Sequence, residues 1–193
     1  MKRLIYVSLV LPLMMACVGN GNTDEGGKAD SDSVVVTDSA FTTSYGTVGE
    51  GTTMHVLEFY CNTDPCDSTG AMIPRTYEYD NNVIGGLEVG DFVAVSETFP
   101  IADSVVIMNI TSISHLWQVV GEGNDIYLQL DTNFTATTYG MDKAFDRWMV
   151  GPGWVDLIIN SVGTHEVYSV ELLTTDSLIL KNDQSIMRMK RIN

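Results

Sequence analysis

The chain has 193 residues, and its 10 Lys and Arg face 25 Asp and Glu, which gives a formal net charge of −15 at pH 7. A field of that sign repels nucleic acid and anionic lipid headgroups, so the sequence excludes a nucleic-acid-binding protein. The same charge is typical of a protein that stays soluble at high local concentration.

The first sixteen residues have the layout of a secretory signal. Lys2 and Arg3 precede the apolar run 4–15, and a small residue and a cysteine follow it. The run is too short for a stable membrane span, which needs ~20 apolar residues. We therefore expect 1–16 to be a cleaved signal peptide.

The segment 13–17, Leu-Met-Met-Ala-Cys, resembles the lipobox of bacterial lipoproteins, although Met14 stands where leucine is usual. The resemblance implies that Cys17 carries diacylglycerol and becomes the new N-terminus. The expected protein is exported and held by this lipid in the cell envelope, at the periplasmic face or the cell surface of the outer membrane. The alternative is an ordinary signal peptide with an incidental cysteine.

Residues 17–40 are rich in Gly, Asn, Thr, Ser and Asp. Such a composition buries too little apolar surface to become ordered, so it predicts a flexible tether. Cleavage removes Lys2 and Arg3, which leaves 8 basic against 25 acidic residues, a net charge of −17.

The cysteines Cys61 and Cys66 remain as a pair after lipidation. They bracket the turn-forming segment 62–65 (Asn-Thr-Asp-Pro), so in an oxidising compartment we expect a disulfide at a hairpin tip. A zinc site would need a second Cys or His pair nearby, and the Asp and Asn spacing here is not that of a calcium loop. The sequence therefore predicts no metal.

Most of the chain after residue 40 has the pattern of short strands. Runs rich in Val, Ile, Leu and Tyr occupy 54–60, 91–96, 105–110, 126–130, 155–159, 167–172, 178–180 and 186–192. Glycine, proline and asparagine clusters separate them at 85–86, 121–124, 151–153 and 181–183, a spacing that favours an antiparallel barrel or sandwich. The nearest helix candidate is 139–149, which also fits a loop or a strand.

Several runs show which faces are buried. Apolar residues alternate with polar ones in 125–131 and in 112–120, where Ile113 begins the inward-facing series. Segments 92–95 and 105–110 are apolar on both faces, which predicts burial on both sides.

We place a small N-terminal β domain over 41–111 and a β-barrel domain over 112–193, although one continuous sandwich gives the same pattern.

The C-terminal half resembles the lipocalin-like domains of bacterial lipoproteins. The residues that carry the resemblance are Ser-His-Leu-Trp at 114–117, the hairpin 168–180 and the closing strand 187–191. In that family the first strand carries Gly-x-Trp, and an arginine of the last strand commonly covers the tryptophan. The resemblance implies that Trp117 closes one barrel end beneath Arg188 or Arg191, with His115 at the glycine position. A stacked guanidinium contributes roughly 0.5–2 kcal/mol.

The aromatic residues Trp117, Tyr139, Trp148 and Trp154, with Phe145 nearby, are the candidates for contacting a ligand. Aromatic faces line apolar cavities and stack on sugars, so the ligand would be small and apolar or a glycan. The alternative is that these rings are ordinary core, because a barrel of about eight strands is usually filled by its own side chains.

Catalytic motifs are absent from the sequence. His55, His115 and His165 lie far apart and form no metal-binding pair, and no nucleophile motif accompanies them. We therefore expect a non-catalytic lipoprotein without a cofactor, whose barrel binds a small ligand or an envelope protein. The alternatives are a hydrolase of envelope or extracellular polymers, for which His165 is a conceivable general base, and a structural or inhibitory surface protein.

Overall fold

The computed structural model of the protein describes residues 41–64, 66, 69–98, 105–121, 125–159 and 163–192. Strands account for 57% of the described residues and helix for 3%, which confirms the predicted all-β class. The signal 1–16 and the tether 17–40, including Cys17, lie outside the described residues. Within the described ranges, no helix has the length and apolar content needed to cross a bilayer.

The first sheet has six strands in the order β3-β2-β1-β5-β6-β4. They are β1 (Phe41–Val48), β2 (Val56–Cys61), β3 (Arg75–Glu78), β4 (Val83–Ile84), β5 (Phe92–Thr98) and β6 (Val105–Asn109). Neighbouring strands are antiparallel, except that β4 runs parallel to β6.

The central strands β5 and β6 are buried on both faces, as the sequence predicts for 92–95 and 105–110. On one face Val95 and Ile107 pack within the six-stranded sheet. On the other face Ala94 and Met108 belong to the hydrophobic core of the second sheet. The first sheet therefore has no solvent-facing side at its centre.

The second sheet is a nearly closed antiparallel barrel of eight strands in the C-terminal half. They are β7 (Leu116–Val119), β8 (Tyr127–Leu130), β9 (Ala136–Tyr139), β10 (Arg147–Gly151), β11 (Trp154–Ile159), β12 (Thr164–Leu173), β13 (Ser177–Lys181) and β14 (Ile186–Arg191). Consecutive strands pair from β7 to β9 and from β10 to β14, and β14 pairs with β7. The narrow join between β9 and β10 includes the Thr135–Arg147 bridge and the bonds from Trp148 N to Phe134 O at 3.0 Å and from Ala136 N to Asp146 O at 3.1 Å.

Side chains of the barrel strands fill its middle. The buried interior residues include Trp117, Leu128, Leu130, Trp148, Val150, Val155, Leu157, Tyr168, Leu178, Leu180 and Met189. The indole N–H of Trp117 donates to Ile113 O at 2.8 Å, and that of Trp148 donates to Asp131 O at 3.0 Å. A buried ring of this kind contributes roughly 1.5–3 kcal/mol, so the packed middle stabilises the barrel.

The two ends of the barrel differ. At one end, which we call the closed end, a single helical turn, α1 (Ile110–Ile113), leads into β7 and accepts the indole bond of Trp117. The side chain of Asn109 caps this turn by accepting from Ser112 N at 2.8 Å. The opposite end, where β12 begins, holds a cavity, and we call it the mouth.

The eight predicted strands overlap β2, β5, β6, β8, β11, β12, β13 and β14. The strand predicted from alternation over 112–120 is partly wrong, because α1 occupies Ile110–Ile113 and β7 begins at Leu116. The segment 139–149 is not a helix, since it comprises the end of β9, a loop and the start of β10.

The change from the first sheet to the second falls at α1, close to the boundary placed at residue 111. Residues 38–193 nevertheless form one compact unit, and the barrel core includes Ala94 and Met108 of the first sheet. The division into domains at 41–111 and 112–193 stays a prediction.

Candidate functional site

The four aromatic residues singled out in the sequence do not form one site. Trp117 and Trp148 are completely buried in the barrel core. Tyr139 is 53% exposed at the end of β9. Trp154 lies at the start of β11, where its ring contacts the edge of Phe41 at 5.6 Å between centroids. Two of these rings pack the core and two lie apart from each other, so the structure does not assemble a ligand-binding aromatic set.

A different group of residues surrounds a cavity of about 300 Å³ at the mouth, which we call the mouth cavity. Its apolar wall includes Val119, Ile126, Phe145 and Met187, and its polar residues include Lys143, Glu166 and Tyr168. Apolar walls with a few converging polar groups are typical of small-molecule sites.

The polar groups of the mouth cavity are joined in a chain. Lys143 Nζ forms an ion pair with Glu166 Oε1, and Tyr168 donates its hydroxyl to Glu166 Oε2 at 2.7 Å. The Glu166 side chain is only 15% exposed, whereas that of Lys143 is 55% exposed. Both oxygens of the largely buried Glu166 carboxylate therefore have a partner, and one of these partners, Lys143, is exposed to solvent.

This environment changes the acidity of both partners. Burial raises the pKa of Glu166, but the hydrogen bonds from Lys143 and Tyr168 and the charge of Lys143 outweigh it, so the pKa lies below its usual value. Burial and the hydrogen bond to Glu166 raise the pKa of Tyr168 well above its usual value. The phenol therefore stays protonated and the carboxylate stays ionised at neutral pH.

The strand geometry explains how these side chains meet. Glu166 and Tyr168 are two residues apart on β12, so both point into the barrel. Lys143 lies on the loop between β9 and β10, and its carbonyl accepts from Thr138 Oγ1 at 3.1 Å. None of these three residues was a candidate from the sequence, although the alternation of Glu166, Tyr168 and Val170 indicates a strand with one face turned inward.

The three histidines lie in separate places. His55 Nδ1 is 4.0 Å from Asp80, with both side chains largely exposed. His115 packs at the edge of Trp117. His165 Nδ1 is 2.8 Å from Asp156 Oδ2, on the outer face of the barrel. In the part of the chain that the structure describes, no three His, Cys, Asp or Glu side chains group as metal ligands.

No protein-family model, curated protein or solved structure matches the chain. The resemblance to lipocalin-like domains therefore depends on the motif residues of the sequence. A barrel fold hosts many unrelated functions, so the function has to be argued from the geometry of the sites.

The structure places the two candidate arginines on opposite faces of β14. Arg191 is the direct backbone partner of Trp117 in the ladder with β7, and it lies on the same side of the strand as the buried Met189. Its Nη1 is 3.4 Å from Thr175 O. Arg188 lies on the exposed side. Of the two, Arg191 lies at the closed end beside Trp117.

The disulfide expected between Cys61 and Cys66 is not formed, because both thiols are free. Cys61 ends β2 with its side chain in the core, 1% exposed, and its Sγ is 3.2 Å from Thr63 Oγ1. Cys66 is exposed. The first thiol thus faces the core and the second faces solvent in this structure, and the disulfide stays a prediction.

Proposed function

We propose that the chain is a non-catalytic lipoprotein of the cell envelope whose lipocalin-like barrel binds a small amphipathic ligand in the mouth cavity. Cys17 would carry the lipid that holds the protein at the outer membrane, and 17–40 would connect it to the barrel. The observation that supports the binding function is the mouth cavity, with its apolar wall beneath the Lys143–Glu166–Tyr168 chain.

The filled middle of the barrel limits the size of the ligand. Trp117 and Trp148 occupy the interior below the mouth, so a ligand enters only the upper part of the barrel. There its apolar part would contact Met187 and Phe145. Its polar part would lie beside Lys143, the exposed member of the ion pair. A cavity of about 300 Å³ is at the small end of known ligand sites.

The exposed rim of the mouth supports the same proposal. Val120 is 55% exposed, Ile186 is 46% exposed, and both line the mouth cavity. Apolar side chains that surround a cavity extend the surface available to an amphipathic ligand. They also suit an envelope protein that docks over the mouth, which is the second form of partner proposed for this site.

The alternative function, a hydrolase, has one observation in its favour. His165 and Asp156 are arranged as a hydrogen-bonded pair, with the carboxylate side chain only 10% exposed and the imidazole 55% exposed. A nucleophilic hydrolase also needs a hydroxyl or thiol bonded to the imidazole. Among the described residues, no such group is hydrogen-bonded to His165.

Binding in the mouth cavity can be tested with N-phenyl-1-naphthylamine, a neutral apolar fluorophore. The test uses the mature chain carrying Cys17→Ser, so that no acyl chain or detergent binds the probe. We expect saturable fluorescence enhancement, with affinity about tenfold lower in Met187→Gln because the apolar wall is interrupted.

The matched control is Met149→Gln, because Met149 is 45% exposed on β10 and does not line the mouth cavity. It should bind the probe as the parent does. Equal losses in the two variants, or no saturable binding, would refute the ligand site.

The lipid anchor has its own test. Cells expressing the full chain and fed radioactive palmitate should label the protein and retain it in the membrane fraction. Cys17→Ser should abolish the label and release the protein, whereas Cys66→Ser should change neither. Label that persists in Cys17→Ser would contradict the anchor.

A further inference from the structure

A second cavity, of about 500 Å³, lies where the first sheet meets the closed end of the barrel, and we call it the junction cavity. The loop between β4 and β5 contributes Glu88 and Asp91 to its lining. The barrel side contributes His115, Thr175 and Arg191. Acidic groups thus come from one sheet and basic groups from the other.

The basic side has two nitrogen-bearing groups close together. His115 precedes β7 and Arg191 ends β14, the two strands that pair at the closed end. Burial lowers the pKa of His115, and the nearby positive charge of Arg191 lowers it further. Among the described residues, the guanidinium has one long hydrogen bond, from Nη1 to Thr175 O at 3.4 Å, so most of its donors are available there.

The acidic side is fixed in place by the first sheet. Asp91 Oδ2 accepts from Asn109 Nδ2 at 2.6 Å and from Glu88 N at 2.8 Å. These bonds use one carboxylate oxygen and leave Oδ1 as an acceptor. Glu88, beside it, is exposed. The negative charge at this wall is therefore positioned without an ion pair to neutralise it.

Opposite charges line the junction cavity without meeting. The ion pairs of the described residues join His55 to Asp80, Arg75 to Asp64, Lys143 to Glu166 and His165 to Asp156. None of them includes Arg191, Asp91 or Glu88. A cavity that keeps a cation and two carboxylates apart suits a ligand with both a negative and a positive end.

The wall between these charges is rigid. Gly85 has φ +93°, and a Cβ added there would lie 2.7 Å from Leu173 Cδ2, so the loop packs directly on the barrel. Ser112 Oγ donates to Gly85 O, and Asn109 Nδ2 donates to Gly86 O, both at 2.9 Å. A loop held by these bonds keeps the cavity formed before a ligand arrives, which reduces the ordering cost of binding.

We propose that the junction cavity binds a small zwitterion with separate ends, such as a short peptide with free termini. Its carboxylate would lie against Arg191 and His115, and its ammonium against Asp91 and Glu88. Guanidinium groups bind carboxylates through paired hydrogen bonds, which gives this wall its preference for the anionic end. The site is separate from the mouth cavity and does not depend on the function proposed there.

In the test, the mature chain carrying Cys17→Ser is titrated with the dipeptide Ala-Ala. Binding is measured by calorimetry and by NMR of labelled backbone amides and histidine imidazoles. N-acetyl-Ala-Ala lacks the ammonium, and Ala-Ala amide lacks the carboxylate. We expect Ala-Ala to bind at least tenfold more tightly than either analogue, with shifts at His115 and residues 85–91. Because a bound carboxylate favours the imidazolium, the pKa of His115 should rise on binding.

Three variants separate the site from general effects of charge. Arg191→Gln should weaken Ala-Ala binding about tenfold or more, whereas Lys190→Gln, the exposed neighbour with the same change of charge, should not. Glu88→Gln changes an exposed residue and should weaken Ala-Ala and Ala-Ala amide, which carry the ammonium, while N-acetyl-Ala-Ala, which lacks it, should bind as before. Equal binding of the three peptides, no binding, or shifts confined to the mouth cavity would overturn the proposal.

Discussion

Replacing Trp117 by phenylalanine tests how the closed end of the barrel is held together. The indole is completely buried, and its N–H donates to Ile113 O. Phenylalanine is smaller and has no such donor. The change therefore leaves a void beneath α1 and removes one hydrogen bond, while the aromatic character of the site is kept.

The expected cost follows from the contacts. Ile113 O also accepts from His115 N at 3.0 Å, so the carbonyl keeps a partner and the lost bond costs only about 1 kcal/mol. The void adds about 1–2 kcal/mol, less than complete truncation of a buried ring. We expect the free energy of unfolding of Trp117→Phe to fall by about 2–3 kcal/mol.

The assay is urea unfolding followed by far-ultraviolet circular dichroism. With a slope of about 2 kcal/mol per molar urea, the midpoint should fall by roughly 1–1.5 M. Trp154→Phe is the matched control, because Trp154 is partly exposed and its change should cost less than about 1 kcal/mol. Equal midpoints for the two variants would refute the packing of Trp117 against α1.

Two further predictions concern the mouth and the thiols. The folded-state pKa of Glu166 lies below its value of 4.5 in the unfolded chain, so its stabilising effect is present above that pH and is lost as pH falls through the folded pKa. In Glu166→Gln, melting temperature should depend less on pH in this acidic range. In the folded chain carrying Cys17→Ser, a thiol reagent should modify the exposed Cys66 rapidly and the buried Cys61 only after unfolding.

The acid-dependence prediction has a control variant, and each of the two predictions has an outcome that would contradict it. Glu171→Gln changes an exposed acid on the same strand and should leave the acid dependence of melting as it is. If Glu166→Gln kept the parent's dependence, Lys143 and Tyr168 would not stabilise the carboxylate. If the native chain offered no reactive thiol, a Cys61–Cys66 bond would be present and the free-thiol structure would be wrong.

The sequence was sufficient for strands that carry their own apolar pattern. The alternation of 126–130 appears in β8, and the doubly apolar 105–110 appears in β6. The sequence pattern did not predict β1 or β9, whose residues FTTSYGTV and ATTY are largely Thr, Ser and Gly. These strands form because they pair with stronger neighbours, a long-range effect that local pattern does not carry.

The sites were harder to predict than the fold. Glu166 meets Lys143 across 23 positions, and the junction cavity joins residues 85–91 to 175 and 191. Such meetings depend on strand register and on which end of a barrel each loop occupies. The sequence made the tryptophans candidates for contacting a ligand, whereas the structure buries Trp117 and Trp148 completely in the core.

The most direct test of the proposed function is an amide NMR titration of the labelled, unlipidated mature chain with N-phenyl-1-naphthylamine. The account predicts saturable shifts at Val119, Lys143, Tyr168 and Met187, with the amides of Trp117 and Leu178 deeper in the barrel unchanged. Shifts spread over the outer face of β10 and β12, with the mouth silent, would contradict it.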